Sequence, residues 1–143
     1  PQAVFNQRAV ILDRLGRPAE AAAARERAAL TPLHTADDHF LVGDELLATS
    51  NLTEALPHLR DAVRLDPAHF WAQFQLGVCQ QRLGRSADAR ACYSAAVALR
   101  PHSHWAYFNR ALATVPLRNW AEVVADLEQV LRLEPTFHPA RLH

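Results

Sequence analysis

Shifted against itself by 34 residues, the chain brings small, apolar and turn residues into register over four successive units. The column Ala9, Gly43, Gly77, Ala111 holds only the smallest side chains, and the columns Ala21, Ala55, Ala89, Val123 and Ala28, Ala62, Ala96, Val130 hold small apolar ones. Proline closes the units at Pro67, Pro101 and Pro135, and one residue early in the first, at Pro32. A period of this length is the signature of a repeat protein, in which each unit buries its apolar face on the next, so that about three or more units suffice for stability. Four units meet that condition, with boundaries at about 2–35, 36–69, 70–103 and 104–137 inside one domain, 1–143; residues 138–143 read as the start of a further helix or a cap.

Within a unit the apolar spacing is helical twice. Ala72, Leu76, Cys79, Leu83 run at i, i+4, i+7, i+11, and Ala89, Cys92, Ala96, Leu99 follow a similar rhythm after a break. The break, Arg14-Leu15-Gly16-Arg17 in one unit and Arg82-Leu83-Gly84-Arg85 in another, offers glycine for the left-handed residue that ends a helix. Glu20, Glu54, Asp88 and Glu122 then fall in the first turn of each second helix, against the positive end of its dipole. The spacings Asn51 to Glu54 and Asn119 to Glu122 predict capping boxes, and Pro18 and Pro57 are expected in first turns. Val115-Pro116 predicts an early end or a kink in the first helix of the fourth unit, where Arg118 occupies the turn position of Gly16, Ser50 and Gly84.

Leu76, Gly77, Ala89, Tyr93, Ala96 and Pro101 carry a resemblance to the tetratricopeptide repeat, and the resemblance extends over residues 2 to 137. It implies an all-α fold, a right-handed superhelical α-solenoid of four helix-turn-helix units whose first helices line a concave surface. Gln73 and Gln80 stand where that family usually has aromatic residues, and Arg8 and Arg110 where it has leucine. For the two arginines the expectation is an aliphatic stem in the leucine's space with the charge in water. Pentatricopeptide repeats use similar hairpins to read RNA bases, but the column that would do so is Asn6, Phe40, Phe74, Phe108, and phenylalanine cannot hydrogen-bond a base edge. The wording of Trp105 to Ala111 and of the Arg-Leu-Gly-Arg turns resembles tetratricopeptide tails behind bacterial serine/threonine kinase domains. That resemblance implies a fragment of a larger protein.

Fifteen basic and fifteen acidic residues cancel, which leaves no excess positive field for nucleic acid or an anionic membrane. All the basic residues are arginine, so Schiff-base and phosphate-loop lysine chemistry is excluded within these residues. There is no Gly-x-Ser-x-Gly elbow or glycine-rich loop, and neither Asp37-Asp38 nor Asp44-Glu45 forms an acid/base pair, because adjacent residues on a helix do not face each other. Asp37 and Asp38 read instead as solvated or helix-start charge. His102-Ser103-His104 is the densest of the histidines but lacks the third and fourth ligand a zinc site needs. Cys79 and Cys92 read as thiols of a reducing compartment. The chain is therefore expected to be non-catalytic, without cofactor or metal, and cytoplasmic.

Helical spacing on the first helices gives the face the groove would present: Trp71, Phe74, Gln75, Val78 in the third unit, with equivalents Phe40 and Asp44 in the second and Trp105, Phe108, Asn109 in the fourth. Large apolar groups there predict a partner. The same rings also serve for packing between helices, and both readings stand at this point. The lysine, asparagine and arginine clamp by which tetratricopeptide domains hold acidic chaperone tails is missing: its slots hold Asn6, Val10, Leu41 and Trp71 or, one unit later, Phe40, Asp44, Gln75 and Trp105. The expected ligand is a protein or peptide with apolar anchors, with a basic residue set against Asp37 or Asp44. The alternative function is self-association through the solenoid ends, since the last helix carries Val124, Leu127, Leu131 and Leu133 without a partner in sequence.

Overall fold

Alanine-rich helices of 11 to 14 residues, broken by three-residue turns and by longer prolyl connections, build the whole chain. The computed structural model describes residues 2–138. Two compact units divide at the His69–Phe70 junction. The first contains α1 (Gln2–Arg14), α2 (Pro18–Ala29), α3 (Ala36–Ala48) and α4 (Leu52–Leu65); the second contains α5 (Phe70–Arg82), α6 (Ser86–Leu99), α7 (His104–Thr114) and α8 (Trp120–Leu133). No strand occurs among the described residues, and the segment 139–143, read above as part of a further helix or cap, lies outside them.

In the first unit, hairpin α1/α2 packs on hairpin α3/α4 through α1 and α3. The small columns sit at the helix crossings. Ala9, Ala21 and Ala28 are buried, and a Cβ on Gly43 would stand 2.7 Å from the Leu59 side chain. Close approach of two helices is thus what the column demands. In the second unit α5 packs on α6, α6 on α7 and α7 on α8. Phe70, Ala96 and Ala106 form one core cluster, Ala89, Tyr93 and Ala113 another, and Phe74 bridges the two. Gly77 leaves room for Tyr93, which is fully buried and donates its phenol to Gln81 Oε1 at 3.0 Å.

The turns follow the column rather than the residue type. Gly16 (φ 69°) and Gly84 (φ 74°) are left-handed as expected, and so are Ser50 (φ 65°) and Arg118 (φ 58°), which hold the same turn position without a glycine's freedom. Pro116 ends α7 at Thr114 and throws Val115–Leu117 into a 3-10 turn. Acidic residues open α2, α4, α6 and α8 as the spacing predicts.

Four expectations are corrected. Asn51 makes no cap bond and donates to Thr49 Oγ1 instead, while Asn119 caps α8 by accepting from the Glu122 amide. The full capping box is Thr35 with Asp38 at the start of α3. Pro57 lies in the second turn of α4, so the carbonyl of Thr53 loses its helical donor. Asp38 is not solvated: it is wholly buried, because its carboxylate also accepts the Ala3 amide at 2.8 Å and so caps α1 from the neighbouring hairpin. Arg8 is exposed, but Arg110 is half-buried and its charge is paired inside the protein rather than simply solvated. Its guanidinium grips the buried Asp126 carboxylate in a fork, Nε to Oδ2 at 2.9 Å and Nη2 to Oδ1 at 2.6 Å. These bonds and the nearby Glu122 raise the arginine's pKa despite its partial burial.

Candidate functional site

The second unit carries an open hollow of about 410 Å³ lined by Phe70, Trp71, Phe74, Ser103, Trp105 and Asn109. Its walls come from two helix starts. Phe70 and Trp71 open α5, with Phe74 one turn on, and Ser103 caps α7, accepting the Ala106 amide and thereby fixing where Trp105 emerges. Phe70 and Phe74 are held from beneath by Ala96 and Ala106, whereas Trp71 and Trp105 each keep 49% of their surface exposed.

The reason for the hollow is found one column away. Thr35, His69, Ser103 and Phe137 are equivalent positions of the repeat, and in three units the phenylalanine 29 residues earlier is Phe40, Phe74 or Phe108. His69 lies against Phe40 with ring centroids 4.9 Å apart, and Phe137 against Phe108 at 5.1 Å. Ser103 has no ring to lay on Phe74. The space left is the hollow, and a hydroxyl in place of an aromatic is what opens it.

The residues expected from helical spacing distribute as follows. Trp71, Phe74, Trp105 and Asn109 meet at the hollow. Phe108 packs beside it on Trp105 and Phe137, at 6.2 and 5.1 Å between ring centroids. Val78 packs on the Ala89, Tyr93, Ala113 cluster, and Gln75 is half-buried on the same helix. Phe40 and Asp44 belong to the first unit, where Asp44 lines a separate hollow of about 250 Å³ with Asn6, Val10 and Leu41. The Asn109 Nδ2 donates one hydrogen bond to the Trp105 carbonyl at 2.8 Å. Asp37, which remains largely exposed, lies with Oδ1 3.1 Å from His69 Nε2.

Helical spacing alone missed Phe70, Ser103 and Arg100. The Arg100 guanidinium lies 4.2 Å from the Phe70 ring centroid and 5.5 Å from that of Trp71, so a cation already covers one flank of the aromatic wall. A neighbouring hollow of about 470 Å³ shares Phe70, Trp71 and Ser103 and adds Leu99, Arg100 and His102. The signal for Ser103 was present in its column, where His69 and Phe137 are rings and Thr35 and Ser103 are not. His104, in the histidine cluster, packs on Trp105 in a tilted contact and edge-on against Phe137, with ring centroids at 5.4 and 5.1 Å. No group of three or more His, Cys, Asp or Glu is gathered for a metal among the described residues, where Cys79 and Cys92 remain thiols. No helix among them is long and apolar enough to cross a membrane.

The family model of the tetratricopeptide repeat matches residues 41–104 and again 80–135, together more than half of the chain. No curated protein matches it in sequence. Among solved structures, YrrB, described as a TPR protein with an unusual peptide-binding site, has a TM-score of 0.75 at 21% identity over 92% of this chain and 68% of its own. The first TPR of Spaghetti (RPAP3), bound to the HSP90 peptide SRMEEVD, has a TM-score of 0.68 at 25% identity over 74% of this chain and 87% of its own. MamA from Desulfovibrio magneticus RS-1 (residue 41 to the end) has a TM-score of 0.76 at 20% identity over 94% of this chain and 76% of its own. Helical hairpins on a fixed period, crossing at small residues, define a helical-repeat protein of the kind that serves protein interaction. The chain belongs to the tetratricopeptide repeat family.

Proposed function

We propose that this chain is a non-catalytic interaction scaffold, one domain of four repeat units over residues 1–143, that binds a peptide or partner helix by an apolar anchor side chain. The hollow among Phe70, Trp71, Phe74 and Trp105 is the anchor site in this reading, with Phe108 and Asn109 at its rim and with Gln75 and Val78 supporting α5. The observation that carries it is the pair of half-exposed tryptophans bounding an apolar space within the size range of small ligand sites. Tryptophan also dominates measured binding hot spots. The RPAP3 domain bound to its HSP90 peptide supports a peptide as the kind of ligand. An acidic tail of that kind is not the ligand proposed here, because the clamp slots hold Asn6, Val10, Leu41, Trp71 or Phe40, Asp44, Gln75, Trp105. The two thiols fit a reducing compartment, and we assign the protein to the cytoplasm. Peptides selected on the full chain by display and titrated calorimetrically against Trp71→Ala and Trp105→Ala test the reading. Each substitution should cost about 2 kcal/mol, and affinities equal to wild type would refute it.

A second reading, self-association, is favoured by α8. Trp120, Val124, Leu127 and Leu131 form an exposed apolar stripe at i, i+4, i+7, i+11, with 58, 55, 39 and 56% of their surfaces open. Their equivalents 34 residues earlier include Tyr93 and Val97 of α6, which pack in clusters with Ala113 and Ala106 of α7. The stripe is thus shaped to receive the first helix of another hairpin. Light scattering across a hundredfold range of concentration checks this: a mass that rises supports it, and a constant monomer mass removes it.

A further inference from the structure

Outside the aromatic hollow, the first unit brings two histidines together that are 19 residues apart in sequence. His39 on α3 and His58 on α4 face each other with Nδ1 atoms 3.3 Å apart, ring centroids at 5.6 Å and planes inclined by 35°. Both are half-buried. Asp61, one turn beyond His58, sets Oδ2 4.0 Å from His39 Nδ1 while its Oδ1 accepts from Arg64 Nε at 3.3 Å. Two nitrogens bound to zinc at about 2.0–2.1 Å and subtending a tetrahedral angle stand about 3.3–3.4 Å apart. The Nδ1–Nδ1 distance therefore matches the bite of a chelate. Neither His102 nor His104 offers this: they flank the Ser103 cap, and the His104 ring is packed against Trp105 and Phe137.

We propose that His39 and His58 form a two-imidazole site for a borderline divalent transition-metal ion, with water in the remaining positions and Asp61 adding negative charge beside it. In the metal-free pair the two Nδ1 atoms lie within hydrogen-bond distance of each other, and the tautomer sets which ring donates. Metal binding requires each ring to carry its proton at Nε2, so that both Nδ1 lone pairs meet the ion. Two ligands without a third give a modest, exchangeable site rather than a closed structural one. Because one ligand comes from each helix, the ion ties α3 to α4. This inference is independent of the peptide-binding reading.

Isothermal titration of the full chain with zinc chloride in a non-coordinating buffer tests it, with magnesium as the oxygen-seeking control. One zinc per chain is expected, with affinity reduced at least about tenfold in His39→Asn and in His58→Asn, unchanged in the His102→Asn/His104→Asn double variant, and no heat from magnesium. Should either single variant lose its fold by circular dichroism, the wild-type imidazole nitrogen resonances decide: zinc must shift Nδ1 of His39 and His58. Absence of saturable zinc binding, equal affinity in all variants, or shifts confined to other histidines would overturn the proposal.

Discussion

At position 38 a carboxylate joins three pieces of backbone that would otherwise leave donors unmet at two helix starts. It takes the Ala3 amide of α1 at 2.8 Å, the amides of His34 and Thr35 at 3.3 and 3.2 Å, and completes a capping box with the Thr35 hydroxyl. Burial by itself would push the carboxyl's pKa up, but the bonds from Ala3, the Thr35 side chain, His34 and Thr35 outweigh it and hold the pKa below its ordinary value. The consequence for stability has a definite sign. A carboxyl with a lower pKa when folded contributes fully above the unfolded value of about 3.9 and loses that contribution as pH falls through the folded value. Asp38→Asn should therefore cost about 2 kcal/mol at pH 7 in urea unfolding, with the gap to wild type narrowing progressively as pH falls below the unfolded value of about 3.9. A gap independent of pH would show that shape rather than charge matters at this position.

Between elements, the second unit replaces part of an expected apolar contact with an ion pair. Arg110 of α7 stands where the family has leucine, and its fork onto Asp126 of α8, with Ser94 Oγ of α6 at 3.3 Å, links three helices through one side chain. Buried pairs are costly to break and cheap to replace. Asp126→Ala should destabilise by about 2–3 kcal/mol because it removes both bonds of the fork and leaves the guanidinium only Ser94 and the more distant Glu122, whereas Arg110→Leu with Asp126→Leu should stay within about 1 kcal/mol of wild type. Chemical denaturation of both variants checks the contrast. The helices themselves were legible because their signals are local or periodic: the small columns, the glycines at 16 and 84, the acidic first turns and Pro116 all act within a few residues or at the fixed shift. The Arg110 fork, the Asp38 bridge to Ala3 and the His39–His58 pair were not, since each depends on which faces two separate helices turn toward one another. Asn51 shows the converse, a motif of correct spacing whose side chain finds Thr49 instead.

For the molecule as a whole, the repeat sets a common frame and function enters where one column departs from it. Four turn positions keep positive φ whether they hold glycine, serine or arginine, so the frame survives substitution. The aromatic rows at 71 and 105 and at 74 and 108 were legible from helical spacing, but the hollow they border was not, because it exists through what Ser103 fails to fill. His69 and Phe137 supply the ring that position 103 lacks. Ser103→Phe restores that ring but also removes the hydroxyl that caps α7, so Ser103→Ala, which loses the cap without filling the hollow, is its control and should keep most of the affinity. Calorimetric titration of a display-selected peptide against Ser103→Phe, with the fold verified by circular dichroism, is the direct test. Affinity should fall at least about thirtyfold, the scale of one buried anchor side chain; an affinity equal to wild type would mean that no anchor enters there.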